Sequence, residues 1–177
     1  MIVRNRIWVE LKQAKANIIC LQRYTDRGRR RLRSYSTLLI LLPTISAVVG
    51  GATNCLLITV VGASITAIVA ALKSLLPHLI QTDQELSELD RLMDFYSKYM
   101  NKLERIWYEL YNDFIPEKEA IGRLFIMKEE EADKYSTLNR GIRSISKKEQ
   151  DEIDKRAAEY IDEVYFKKTK DSEETVE

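Results

Sequence analysis

From Ser34 to Leu72 the chain runs 39 residues without a charged side chain, and this block restricts the fold more than anything else in the sequence. A helix crossing hydrocarbon needs about 20 apolar residues at about 1.5 Å rise each, so the block is long enough for two crossings. The apolar runs Leu38 to Val49 and Leu56 to Leu72 are parted by Gly50-Gly51-Ala52-Thr53-Asn54, where two glycines relax the backbone and an Asn suits a turn. The pattern predicts a transmembrane helical hairpin with spans near 35–52 and 55–73. Two other readings compete. A cleavable leader would need a shorter basic segment than the 33 residues found here and would not be followed at once by a second apolar run. A soluble bundle with a buried hairpin would not need so long an uncharged stretch.

Charge is divided around this block. Residues 1–33 carry ten basic and two acidic side chains, and residues 73–177 carry 18 basic and 25 acidic, which together leave a formal net charge of only +1. That near-neutral total argues for neither a general nucleic-acid binder nor an acidic halophile-type surface. Arg27, Arg29, Arg30, Arg31 and Arg33 precede the first span, Lys73 ends the second, and the connecting turn has no Lys or Arg. By the positive-inside rule both termini are then cytoplasmic and the turn faces out. Cys20 and Cys55 cannot easily pair in one chain with this topology, so both are expected to be free thiols.

The flanking segments have a helical period. Leu86, Leu89, Met93, Tyr96, Met100, Leu103, Trp107, Leu110 and Phe114 repeat at alternating spacings of 3 and 4, which is a heptad seam. Leu89, Met93, Tyr96, Met100, Leu103 and Trp107 are therefore the candidate oligomer seam. Ile7, Leu11, Ala14, Ile18 and Leu21 form a shorter seam on a basic helix. A hairpin returns the chain to the same side of the bilayer, so the two helices should meet as an antiparallel coiled coil. Leu92, Phe95, Tyr99 and Ile106 widen the stripe and call for further cover. Pro116 closes the long helix, Glu117 to Lys134 reads as another with Ile121, Leu124, Phe125 and the Lys128 stem on its apolar face, and Ser136 to Ser146 as a loop. Ser146 and Glu149 fit a capping box that starts a last helix running to about Lys168. The expected fold is all-α, with a basic N-terminal helix (1–34), the membrane hairpin (35–73), a long cytoplasmic helix (74–115), C-terminal helices (116–170) and a polar tail (171–177).

Catalytic chemistry finds no place in this pattern. The only histidine is His78, and there is no HExxH, CxxC, GxxxxGK[ST] or GxGxxG, so no catalytic residue, cofactor or metal is expected. Acidic runs such as Glu129-Glu130-Glu131 read as solvated helix faces. In the membrane block Asn54, Thr59, Gly62, Thr66 and Ala70 form a small and polar stripe, which either packs the hairpin or lines a pore. The arginine cluster reads first as a contact for anionic lipid headgroups and second as a phosphate or nucleic-acid contact.

The basic amphipathic helix Arg4 to Arg23, the run Arg27-Gly28-Arg29-Arg30-Arg31, the two spans with a very short outer turn and the long helix after them resemble the SLATT family. The resemblance is one of layout and hydropathy, and it covers roughly residues 4–168. It implies a two-span effector of bacterial anti-phage defence in the inner membrane. Such an effector would be a homo-oligomer that opens a pore when triggered by a partner nucleotidyltransferase or reverse transcriptase, or by a nucleotide signal. The other class left open is a membrane-tethered, non-conducting regulator or adaptor of such an enzyme.

Overall fold

The computed structural model describes residues 2–53, 60, 61, 63–65, 67, 68, 82–142 and 145–167. Within these ranges it describes all side chains except those of 39, 42, 43, 45–47, 49–53, 166 and 167. The chain is all-α, with no strand among the described residues. Among the described residues four helices with defined bounds follow in order: α1 (Ile2–Thr53), α2 (Asp83–Tyr111), α3 (Glu117–Gly141) and α4 (Lys147–Asp162), the last continued by a π-helical turn, Glu163–Lys167. The described residues from 60 to 68 are also helical. No helix among the described residues is long and apolar enough to cross a membrane. Gly50-Gly51-Ala52-Thr53, expected as the turn between the spans, continue helix α1, because glycine is tolerated in a helix whose neighbours hold its hydrogen bonds; Asn54, Cys55, Lys73, His78 and much of the second expected span lie outside the described residues.

The chain divides into two compact units, one of Met1–Tyr24 with Glu88–Glu177 and one of Thr25–Ser87. The first is a four-helix bundle. Its core takes Val3, Ile7, Leu11 and Ala14 from α1, Tyr99, Met100, Leu103, Ile106 and Leu110 from α2, Ala120, Leu124 and Met127 from α3, and Ile161 from α4. A second cluster joins Leu21, Leu89, Leu92, Tyr96 and Leu138, and a third joins Ala16, Cys20, Ile153 and Ala157. The start of α1 meets the end of α2, and Leu21 meets the stretch around Leu89, so these helices run antiparallel. Gly141 lets α3 close on this layer, since a Cβ there would stand 2.7 Å from Leu89 Cδ2.

Local chemistry sets the helix ends. In the second unit, Thr82 donates its N–H to Glu85 Oε2 at 2.9 Å while Glu85 N–H donates to Thr82 Oγ1 at 3.2 Å. This reciprocal box satisfies two donors at the start of α2, and the spacing Thr82-Asp83-Gln84-Glu85 announces it. At the other end Asp113 adopts φ 56°, with Phe114 N–H on Glu109 O at 2.8 Å and Asp113 N–H on Leu110 O at 3.4 Å. That is a Schellman stop with Asp where glycine is usual. The turn sends Phe114, the last expected seam residue, into solvent at 68% exposure. Arg4 reaches across from α1 to the same stop, donating to Leu110 O at 3.2 Å and Asp113 Oδ1 at 2.9 Å. A cation there suits the negative end of α2.

The long helix expected from residue 74 is interrupted at Thr82, where the capping box starts α2 afresh, and two expectations for α3 also need correction. The segment read as a loop from Ser136 is helical to Gly141, because Leu138 is buried at helical spacing from Glu131 and extends the apolar face by two more turns. The face of α3 is also shifted: Ala120, Leu124, Met127, Glu131 and Leu138 go inside. Phe125, expected inside, is exposed and carries the Arg6 guanidinium 4.9 Å from its ring centroid. The capping residue of α4 is as read, with Ser146 Oγ accepting from Glu149 N–H at 3.3 Å.

Candidate functional site

The candidate pore stripe Asn54, Thr59, Gly62, Thr66 and Ala70 lies outside the described residues or side chains. What the second unit does display is apolar surface. Leu38, Ile40, Leu41, Val48, Val60, Val61, Ile65 and Ile68 are all exposed, from 40% for Ile65 to 66% for Ile40. Exposed hydroxyls among them bond to their own helix: Thr44 Oγ1 donates to Ile40 O at 2.7 Å and Ser64 Oγ to Val60 O at 2.9 Å. Each is satisfied by its own helix and needs no water.

Arg27, Arg29, Arg30, Arg31 and Arg33 are exposed on α1 just before this surface. At about 100° per residue they are spread around the helix rather than gathered on one side. A helix passing through a headgroup layer meets phosphates at every azimuth, whereas a helix lying on a nucleic acid meets them along one face. The encircling arrangement suits the lipid reading.

The heptad seam is filled from within the chain. Leu89, Tyr96, Met100 and Leu103 are buried, Met93 and Trp107 half-buried, and their cover comes from α1, α3 and α4 of the same chain. Expected as a joint between chains, the stripe is an intrachain one, because the C-terminal helices supply the apolar face it lacked. Trp107 stacks on Tyr111 at 5.0 Å and meets Trp8 and Tyr165 at 5.6 and 5.3 Å. The π-helical turn is what brings Tyr165 into this aromatic group. Nearby, the Lys15 ammonium lies 3.4 Å from the Tyr160 ring centroid; burial lowers its pKa, with Glu104 opposing.

Two polar features inside the bundle escape a sequence reading. The first is Glu131, 5% exposed in a run of glutamates otherwise in solvent. Lys128 Nζ donates to Glu131 Oε2 at 2.7 Å and to Glu10 Oε2 at 2.9 Å. Partial burial works against the ammonium, but the two carboxylates outweigh it and hold the Lys128 pKa above its ordinary value. Tyr96 and Tyr99 lie close by with hydroxyls that close no hydrogen bond of good geometry. Burial first, and the Glu131 carboxylate second, push both phenols well up.

The second is a cavity of about 320 Å³ between α1, the end of α3 and the start of α4. Gln13, Asn17, Cys20, Tyr135, Asn139 and Gln150 supply its polar wall. Ala16, Leu138, Ile142 and Ile145 supply its apolar wall. Burial, then the nearby Glu149, push the Cys20 thiol up to about 11, against the opposing Arg23, so it is a protonated and unreactive group at neutral pH. The available signal was Asn17, which falls between Ala14 and Ile18 on the apolar side of α1. Among the described residues no cluster of side chains has the make-up of a metal site. Comparison with family models, curated proteins and solved structures finds no match for the chain.

Proposed function

We propose that the protein is a two-span membrane effector: a cytoplasmic helical bundle attached to a hairpin that permeabilises the membrane when triggered. The observation that carries this reading is the exposure of the described apolar residues Leu38, Ile40, Leu41, Val48, Val60, Val61, Ile65 and Ile68, the first of which follow directly on an encircling set of arginines. Exposed apolar side chains in such number are a liability in water and the requirement in lipid. The internally bonded Thr44 and Ser64 hydroxyls support it, since a hydroxyl facing hydrocarbon must find its partner on its own helix. With both termini cytoplasmic, the bundle lies on the side where a bacterial partner enzyme or a nucleotide signal would be met. The layout similar to that of the SLATT effectors fits a role in anti-phage growth arrest, acting as a homo-oligomer in the inner membrane. Switching between closed and open packings would require a trigger that binds one of them more tightly by several kcal/mol.

Dye efflux from liposomes carrying the purified full chain at high density tests the reading. Wild type should release dye, and Thr66→Leu should release it more slowly, because the polar stripe loses a hydroxyl where water must pass. An inserted protein that leaves the liposomes sealed would overturn permeabilisation and point to the membrane-tethered regulator instead.

A further inference from the structure

The last three turns of α3 are held to the bundle differently from the rest of that helix. Up to Met127 its inner line is apolar, with Ala120, Leu124 and Met127 in the main core. Beyond Met127 the only buried residues of α3 are Glu131 and Leu138, while Lys134, Tyr135, Ser136, Asn139 and Arg140 are exposed. The ion pairs that tie α3 to its neighbours stop at the same place. Among the described residues they are Arg123 with Glu109, Lys128 with Glu10 and Glu130 with Lys102. Past Glu131, Ser136 Oγ donates to Asp133 O at 2.9 Å and Arg140 Nε to Ser136 O at 3.3 Å, both within the helix. What fastens residues 132–141 is one apolar point, Leu138 against Leu21, Leu89, Leu92 and Tyr96, with Gly141 closing on Leu89.

The surface beneath this stretch is poorly matched as well. Tyr96 Oη, Tyr99 Oη and Asn17 Nδ2 are buried without a hydrogen bond of good geometry. Glu131 acts on both phenols and Asn17 on Tyr96, so the three form one group under the start of the stretch. Tyr135, Leu138 and Asn139 border the cavity of about 320 Å³, which lies between them and Gln13 and Ala16 of α1. Buried polar atoms without partners are costly in the closed fold, and water reaching them on opening offsets the loss of the Leu138 contact. A segment with few buried apolar contacts, no ion pair to another helix and unmade polar groups beneath it belongs to the low-stability end of a structure, where opening is local. Opening would uncover Leu89, Leu92 and Tyr96 on α2.

We propose that residues 132–141 are a strap that opens from the bundle as one unit, with Leu138 as its latch, while α1, α2 and the first half of α3 stay folded. In the membrane-effector reading, on which this one link rests, the strap is the two-state element that a trigger holds open. Hydrogen exchange of the full chain in mild detergent, read by mass spectrometry, tests it. Amides of 132–141 should share one level of protection, about a hundredfold or more below that of 99–106 and 120–127. Leu138→Ala should lower protection about tenfold further in 132–141 alone, whereas Leu124→Ala should lower it in every helix of the bundle. The strap is overturned if 132–141 are as protected as 99–106, if protection rises turn by turn from Gly141 back to Glu131 as in simple fraying, or if Leu138→Ala loosens the whole bundle. Liposomes that retain their dye would overturn the membrane reading and leave these exchange rates as they are, so the two failures are told apart.

Discussion

Glu131 shows at the scale of one residue how composition can mislead. Three glutamates in a row have the look of a solvated face, and Glu129 and Glu130 are one. Glu131 lies four residues after Met127 on the buried side of α3, so its carboxylate goes in with the core and must be paired there. Lys128 does this from a position that still touches solvent, with Glu10 of α1 sharing it. Lys128→Met should cost about 2–3 kcal/mol in chemical denaturation, less than for a fully buried pair because one end is wet. Adding Glu131→Gln should recover part of that loss, since the stranded charge is then gone. The sign of any pH effect follows from the raised Lys128 pKa: its stabilisation is complete below the ordinary lysine value and is lost as pH rises through the higher folded one. Nothing in the spacing of residues 1–33 shows that Glu10 completes this arrangement, because Glu10 and Lys128 are 118 positions apart.

At the scale of the element, helix ends were more legible than helix faces. Pro116 and Ser146 act through bonds to neighbours a few residues away, so sequence spacing alone is enough to place them; the Thr82–Glu85 box obeys the same rule, yet the helix expected from residue 74 runs straight through it. The stop after α2 has a sharper requirement. Asp113 has φ 56°, a region that costs an ordinary residue about 1–2 kcal/mol and a β-branched one more. Asp113→Gly should therefore stay within about 0.5 kcal/mol of wild type, gaining the relaxed backbone and losing the Arg4 pairing. Asp113→Val should lose about 2 kcal/mol. Thermal denaturation followed by circular dichroism in detergent checks the order, and Val matching Gly would remove the left-handed stop from the account. The face of α3 was misplaced because its apolar residues are few and two of them, Phe125 and Ile126, are exposed at 47% and 62%. A period so weakly marked leaves room for a shift of one residue.

For the whole molecule, the heptad stripe of α2 gives the clearest test. Leu103 is fully buried among side chains from all of the other helices of the bundle. Leu103→Lys places an ammonium there with no partner, a change expected to cost several kcal/mol. The outcome should be a bundle that no longer resists limited proteolysis across residues 88–162, while the apolar block still carries the chain to the membrane fraction. A variant that stays protease-resistant but loses its cross-linked oligomer would return the stripe to the role of a joint between chains. The sequence by itself determined what depends on local periodicity and local charge: an all-α chain, the break at Pro116 and the helix start at Ser146, the apolar stripes of α1 and α2, and the uncharged block behind its arginines. A period reports that a face is apolar, but it does not name the face that covers it. Only the tertiary structure decided that α3 and α4 cover the α2 stripe, that Glu131 goes inside with Lys128 and Glu10, and that the amides of Asn17, Asn139 and Gln150 come to one cavity. Some of these juxtapositions join residues more than a hundred positions apart, as Glu10 and Lys128 are, and the packing energy that selects among such pairings belongs to the assembled bundle, not to any stretch of the chain alone.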